Sequence, residues 1–148
     1  MKHTISVLVE NKSGVLSRIS GLFSRRGYNI ESLTVGVTND PEISRMTVIA
    51  DGDEYIADQI TKQLDKQIEV IKVKRLAPEE IIGRELLLVK IKVTPSQRRE
   101  ILDIVKVMNG QIIDISRETM TVELCSISSD VELITDLLSA YEVLEVAR

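Results

Sequence analysis

The beginning of the chain shows a strand pattern that changes into a helix pattern. Ile5, Val7 and Val9 occupy alternate positions, as expected of a strand with one buried face. The alternation ends at residues 11–14, Asn-Lys-Ser-Gly, a segment rich in turn formers. Apolar residues then recur at the spacing of one helical face. They are Val15, Leu16, Ile19, Leu22 and Phe23. Gly27 predicts the helix end, because glycine readily adopts the left-handed conformation of a C-terminal cap.

Two further strands, a second helix and a fourth strand complete the first half. They are a strand at 29–37, a turn at 38–41, a strand at 44–50, a helix through Ile56, Ile60 and Leu64, and a strand at 68–73. The strands are rich in β-branched residues, and the Thr-Asn-Asp-Pro turn between the first two indicates a hairpin. The predicted element order is βαββαβ.

The second half repeats this order after a break at Leu76-Ala77-Pro78. Its predicted elements are a strand at 86–93, a helix at 95–108, a turn at 109–110, strands at 111–116 and 119–125, a helix at 130–141 and a strand ending at 146. Two units of equal element order form an internal structural repeat. We therefore predict a first domain over 1–76, a linker over 77–83 and a second domain over 84–148.

Each βαββαβ unit predicts a ferredoxin-like sandwich, so the fold class is α+β with two such domains in tandem. In this fold a four-stranded antiparallel sheet has both helices on one face. The other face must meet water or a partner. Because the strands are so apolar, we expect a partner, either a second copy or the other domain.

Composition and charge exclude several classes of function. The net charge of −4, from 19 basic and 23 acidic residues, does not favour binding to nucleic acid. The longest uninterrupted apolar run, 86–89, is far shorter than the ~20 residues of a membrane-spanning helix. A cytoplasmic protein without nucleic-acid or membrane partners is expected. The single cysteine, Cys125, is predicted to be a buried, inert thiol, and His3 a surface residue at a strand end.

An enzymatic role is not favoured by the residues present. The chain offers no Cys/His pair, no second histidine and no metal-ligand spacing. Two other classes of protein share the βαββαβ order. An RNA-recognition module would need aromatic residues on its central strands, which are aliphatic here. An acylphosphatase would hold phosphate with a loop and an arginine such as Arg18 or Arg25, and this function is a minor alternative.

The candidate binding site is the N-terminal end of the first helix, where backbone N–H groups lack intrahelical acceptors and the helix dipole favours negative charge. Ser13 is predicted as the N-cap. Gly14 would let a carboxylate approach the amides of Gly14, Val15 and Leu16. From these residues alone, a capped helix after a tight turn is the more common situation.

Two asparagines strengthen the binding hypothesis. Asn11 lies in the loop before the helix, and Asn29 opens the second strand, where the end of the first helix could bring it near the same group. A side-chain amide can accept from an ammonium and donate to a carboxylate. Together with the Gly14 amide they would satisfy both charged ends of an α-amino acid. Asn29 can equally be a turn residue after Gly27.

Five segments carry a resemblance to a known family. They are 6–18 (SVLVENKSGVLSR), 27–35 (GYNIESLTV), 44–47 (SRMT), 110–114 (GQIID) and 145–148 (EVAR). In combination they resemble the regulatory (small) subunit of acetohydroxyacid synthase, also called acetolactate synthase, whose first domain is an ACT domain. The resemblance extends over nearly the whole chain.

The resemblance implies a non-catalytic subunit that activates a separate catalytic (large) subunit and makes it sensitive to feedback inhibition by valine or another branched-chain amino acid. It implies no cofactor in this chain, and thiamine diphosphate, Mg²⁺ and FAD in the catalytic subunit. ACT domains of this family form a homodimer with effectors at its interface. Carried over by motif, Asn11 and Gly14 of one protomer would face Asn29 and Ile30 of the other. A free-standing amino-acid sensor that controls another enzyme or a transcription factor is the alternative.

Overall fold

A computed structural model describes all 148 residues and divides into two compact units, Met1–Ile81 and Ile82–Arg148. The boundary falls inside the segment 77–83, which holds a single 3-10 turn, Pro78–Glu80. None of the four α-helices, of 11 or 12 residues each, has the length and apolar character needed to cross a bilayer.

The first unit contains four strands and two helices. They are β1 (Lys2–Glu10), α1 (Val15–Arg26), β2 (Ile30–Val37), β3 (Ile43–Asp51), α2 (Glu54–Asp65) and β4 (Val70–Leu76). All neighbouring strands are antiparallel, and the sheet order is β2-β3-β1-β4. The central strands are therefore β1 and β3, and β2 and β4 are the edges.

The second unit repeats this arrangement. Its elements are β5 (Glu85–Lys92), α3 (Gln97–Val107), β6 (Gln111–Ile115), β7 (Thr119–Ser126), α4 (Ser128–Leu138) and β8 (Glu142–Ala147), with sheet order β6-β7-β5-β8. The predicted α+β fold of two ferredoxin-like units is confirmed. Both helices of this half are shorter than predicted: α3 begins at Gln97 rather than near Pro95, and α4 ends at Leu138, before Tyr141.

The core of the first unit lies between its sheet and its helices. Alternate residues of β1 and β3 point into it, and they meet the buried faces of α1 and α2. The largest fully buried side chains of this core are Phe23, Ile5, Ile19, Met46, Ile60 and Leu64. Because α1 is held against the sheet along its buried apolar face, it cannot rotate freely, and the positions of both of its ends are fixed.

Two predictions about single residues are wrong. His3, expected at the surface, is only 5% exposed, because β1 turns its odd-numbered residues inward, and its Nε2 lies 3.1 Å from the Gly52 carbonyl oxygen. Cys125, expected to be buried, is exposed. In β7 the inward positions are Val122 and Leu124, so the strand alternation turns Cys125 to the open face of the sheet.

Candidate functional site

Gly14 determines how α1 begins. Its φ of 84° lies in the left-handed region, and the helix starts at the next residue, Val15. The predicted N-cap at Ser13 is therefore wrong. Gly14 itself occupies the cap position, and no side chain caps the helix. An added Cβ at Gly14 would meet only the far end of Arg18 at 4.0 Å, so the backbone angle, and not lack of space, requires glycine here.

The first turn of α1 leaves backbone donors without protein acceptors. Val15 N donates to Lys12 O over 3.4 Å, but the N–H groups of Gly14 and Leu16 donate to no protein group. The first turn contains no acidic residue. The positive end of the helix dipole is thus not balanced from within the chain, an arrangement that favours a bound anionic group.

Asn11 is held in the loop by two hydrogen bonds. Its backbone N donates to Glu42 O (2.7 Å), and its side-chain Nδ2 donates to Pro41 O (2.8 Å). Because Nδ2 is directed to the β2–β3 turn, Oδ1 is left as an acceptor that makes no hydrogen bond within the chain. Such an oxygen suits an ammonium group.

Basic side chains surround the loop. Arg18 pairs with Glu69 (Nη2 to Oε1, 2.9 Å), and Lys12 pairs with Glu10 (Nζ to Oε2, 2.7 Å). The hydrogen bond to Glu10 and the charge of that carboxylate raise the pKa of Lys12 above its ordinary value. Lys12 is therefore protonated throughout the neutral range. The Glu10 and Glu69 carboxylates are thus each balanced by a basic partner, which reduces their repulsion of an anion at the loop.

Asn29 and Ile30 follow the other end of α1. Gly27, with φ 68°, ends the helix as predicted. The rings of Phe23 and Tyr28 meet edge to face with centroids 6.1 Å apart, which fixes the turn against the core. Asn29 is exposed and its side chain makes no hydrogen bond in the chain, whereas Ile30 is partly buried against the core. Asn29 is thus available to a ligand or to another chain.

The structure does not bring the predicted site residues together within one chain. Ile30 pairs with Ala50, and Ala50 pairs with His3, so Asn29 lies level with the start of β1. Asn11 follows Glu10, the last residue of that strand. Seven residues of strand, or about 23 Å along the strand direction, therefore separate the level of Asn29 from that of Asn11. The expectation that a single protomer would bring Asn29 near Asn11 is wrong.

An apolar strip on the edge strand was missed in the sequence. Leu33, Val35 and Val37 pair with the inward-facing residues of β3, so they point to the helix side of the sheet. Their exposures are nevertheless 38%, 41% and 58%, and Leu16 on α1 is 43% exposed. We call Leu33, Val35 and Val37 the β2 strip. Their alternation was visible in the sequence, but only the strand order shows that β2 is an edge.

Comparisons with known proteins cover both units. Residues 5–72 match the family model described as the AHAS small subunit-like ACT domain, and residues 84–148 match that of the small subunit of acetolactate synthase. The probable acetolactate synthase small subunit of Archaeoglobus fulgidus is 45% identical over all of this chain and 92% of that protein. The chain belongs to the family of acetolactate synthase small subunits.

Two further relatives agree with this assignment. The small subunit of acetolactate synthase isozyme 3 of Escherichia coli is 44% identical over all of this chain and 91% of that protein. The crystal structure of the Thermotoga maritima acetolactate synthase small subunit has a TM-score of 0.92 and 39% identity, covering 99% of this chain and 92% of that one. As a member of this family, the chain is a regulatory subunit and not a catalytic one, and its first unit is an ACT domain.

Two glycines of the α1 region test the geometry of the helix start. Gly14→Ala should destabilise the first unit by about 1–2 kcal/mol, because alanine is strained at a left-handed φ. Gly21→Ala, inside α1, should stabilise it by about 0.5–1 kcal/mol, because its Cβ meets only the flexible end of Arg25 at 3.4 Å. Urea unfolding at one fixed protein concentration measures both. Equal effects of the two substitutions would contradict the assigned helix start.

Proposed function

We propose that this regulatory subunit binds valine, or another branched-chain amino acid, between two copies of its ACT domain and transmits feedback inhibition to the catalytic subunit of acetolactate synthase. The observation that carries the proposal is the uncapped start of α1 at Gly14, in a unit that exposes an unpaired edge strand. The candidate site residues are Asn11, Gly14, Val15 and Leu16 of one protomer and Asn29 and Ile30 of the other.

The edge of β2 is the proposed homodimer contact. An edge strand presents unpaired N–H and C=O groups, which favour pairing with another strand. The β2 strip adds exposed apolar area beside this edge. Antiparallel pairing of two copies of β2 would join the two four-stranded sheets into a single sheet of eight strands, and it would cover the β2 strip.

Two-fold symmetry accounts for the separation of the site residues. A two-fold axis through paired β2 strands reverses the strand direction of the second copy. The Asn11 end of one sheet then lies at the same end of the joined sheet as Asn29 of its partner. Two equivalent sites result, each with an α1 start from one chain and a β2 start from the other.

The groups at each proposed site match the parts of an α-amino acid. The free N–H groups of Gly14 and Leu16 and the helix dipole suit the carboxylate. The Oδ1 atoms of Asn11 and of the partner's Asn29 suit the ammonium. The half-exposed Leu16 and the partner's Ile30 offer aliphatic contact to a branched side chain.

Regulation requires that valine bind one arrangement of the complex more tightly than another, since equal affinity for both shifts nothing. Typical coupling free energies of about 1–3 kcal/mol correspond to about 5- to 150-fold modulation. We propose that the chain also activates the catalytic subunit when the two assemble. Thiamine diphosphate, Mg²⁺ and FAD would be held by the catalytic subunit, with no cofactor in this chain.

Gly14→Asp and Asn29→His test the proposed ligand site. Aspartate at position 14 adds a carboxylate where the ligand carboxylate would lie, and histidine at position 29 replaces the amide. Because a lost hydrogen bond to a charged group costs about 1.5–3 kcal/mol, each should weaken valine binding at least about tenfold. Calorimetric titration measures the affinity, and reconstitution with the catalytic subunit measures inhibition.

Gly83→Asp and Gln111→His are the matched controls, because both positions are exposed and lie outside the ACT sheet. They should leave valine affinity unchanged. The assignment of the site is refuted if the Gly14→Asp and Asn29→His proteins stay as valine-sensitive as the controls. Failure of the unmodified chain to bind any branched-chain amino acid or to activate the catalytic subunit would refute the proposed function itself.

Val35→Lys tests the proposed dimer edge. A lysine in the middle of the β2 strip would place a charge in the joined interface, so the protein should shift from dimer to monomer and lose valine binding. Ile82→Lys is the control, because Ile82 is 89% exposed and lies outside both sheets. Sedimentation equilibrium separates the two states. A dimeric Val35→Lys protein would place the interface elsewhere.

A further inference from the structure

The open face of the ACT sheet, which points away from α1 and α2, carries an unusual charge distribution. The strand register defines it. Leu8 on β1 lies between Arg45 on β3 and Lys72 on β4, and Ser6 lies between Thr47 and Lys74. We call Arg45, Lys72 and Lys74, together with Leu8 and Leu76, the cationic face.

No carboxylate occupies the centre of this face. Most neighbouring outward positions on the four strands are hydroxyl-bearing, aliphatic or glycine, and they are Ser32, Thr34, Gly36, Thr47, Ile49, Thr4 and Ser6. The acid beside them is Glu10 at the end of β1, two residues from Leu8, and it is paired with Lys12 at 2.7 Å. Arg45 and Lys72 form no ion pair within 4.0 Å, and only Lys74 is paired, with Glu80 at 2.9 Å. The chain as a whole has a net charge of −4, so this positive area opposes the overall charge.

The corresponding face of the second unit shows that the charge does not follow from the fold. There Lys90 is paired in register with Glu145, and Lys92 lies 3.5 Å from Glu142. Glu123 on β7 adds a further carboxylate to that face. The two sheets share one topology, yet the cross-strand partners of Arg45 and Lys72 are uncharged, whereas Lys90 and Lys92 each have a glutamate as a cross-strand partner.

The shape of the cationic face suits a protein surface more than a small anion. Its central depression has a volume of about 150 Å³ and is lined by Ser6, Leu8, Arg45, Lys72, Lys74 and Leu76. The three cations are exposed, and the β1 backbone between them is committed to ladder hydrogen bonds on both sides. A small anion would find no backbone donor here, whereas Leu8 and Leu76 offer apolar contact to a partner.

The cationic face is also independent of the proposed dimer contact. Pairing through the edge of β2 extends the sheet sideways and leaves its open face uncovered. A regulatory subunit of this family needs a surface for its catalytic partner in addition to the surface for its own copy. Complementary charge favours docking of an acidic surface at this position.

We propose that the cationic face docks against an acidic surface of the catalytic subunit, with Arg45 and Lys72 as the principal contacts. The proposal rests on the proposed function and adds to it the surface through which the two subunits meet. Contact through the sheet also links partner and effector directly, because β1 and β3 carry the cationic face on one side and lead into the Asn11 loop at one end.

The test is the double variant Arg45→Glu/Lys72→Glu in the full chain, titrated with the catalytic subunit from the same genome. Its affinity should be about tenfold or more weaker at low salt, because two attractive contacts become repulsive. The affinity of the unmodified chain should fall as salt rises, and that of the variant should fall less. Lys66→Glu/Lys106→Glu makes the same change in net charge away from this face and should bind normally.

Valine titration of the double variant without the catalytic subunit checks its fold and its dimer, and unchanged valine affinity is expected. Normal affinity of the double variant for the catalytic subunit overturns the docking proposal while leaving the proposed function intact. A change in the mass of the isolated chain, with binding to the catalytic subunit retained, would instead assign the face to a second copy and overturn the proposal. Failure of the unmodified chain to bind the catalytic subunit refutes the proposed function.

Discussion

The unpaired edge of β2 is the constraint on which the rest of the molecule depends. The order β2-β3-β1-β4 leaves this strand with one free row of backbone groups, and its inward side chains Leu33, Val35 and Val37 lie beyond the cover of the helices. A protein that exposed such an edge to solvent would risk indiscriminate strand pairing. The proposed pairing with a second copy would remove that risk, and it would also give the separated ends of α1 a common location.

The two ends of α1 differ in the groups that they expose. At the start, Gly14 at a left-handed angle leaves backbone donors unused and excludes a side-chain cap. At the end, Gly27 closes the helix, and the Phe23–Tyr28 contact holds Asn29 outward. One end offers donors that suit an anion and the other offers an amide, so in the proposed site a ligand with both charges would need both ends. The reversed second chain of the proposed dimer would provide that combination.

Much of the fold was readable in the sequence, and much of the site was not. Alternation in β1 and the helical spacing of Val15, Ile19 and Leu22 predict their elements, because burial on one face imposes a period. The N-cap at Ser13 was predicted wrongly because a left-handed glycine can replace a capping side chain, and composition does not distinguish the two. Long-range strand order decides that Asn11 and Asn29 lie apart in one chain, and local patterns carry no information on it.

The sharing of the site between two chains is tested most directly by mixing two defective proteins. A Gly14→Asp chain and an Asn29→His chain each form dimers in which both sites are damaged. A mixed dimer contains one doubly damaged site and one site with Gly14 and Asn29 both intact. After subunit exchange at equal concentrations, calorimetry should recover tight valine binding at about one quarter of the wild-type capacity. Absence of any tight binding in the mixture, with exchange verified by mass, would contradict a site built from two protomers.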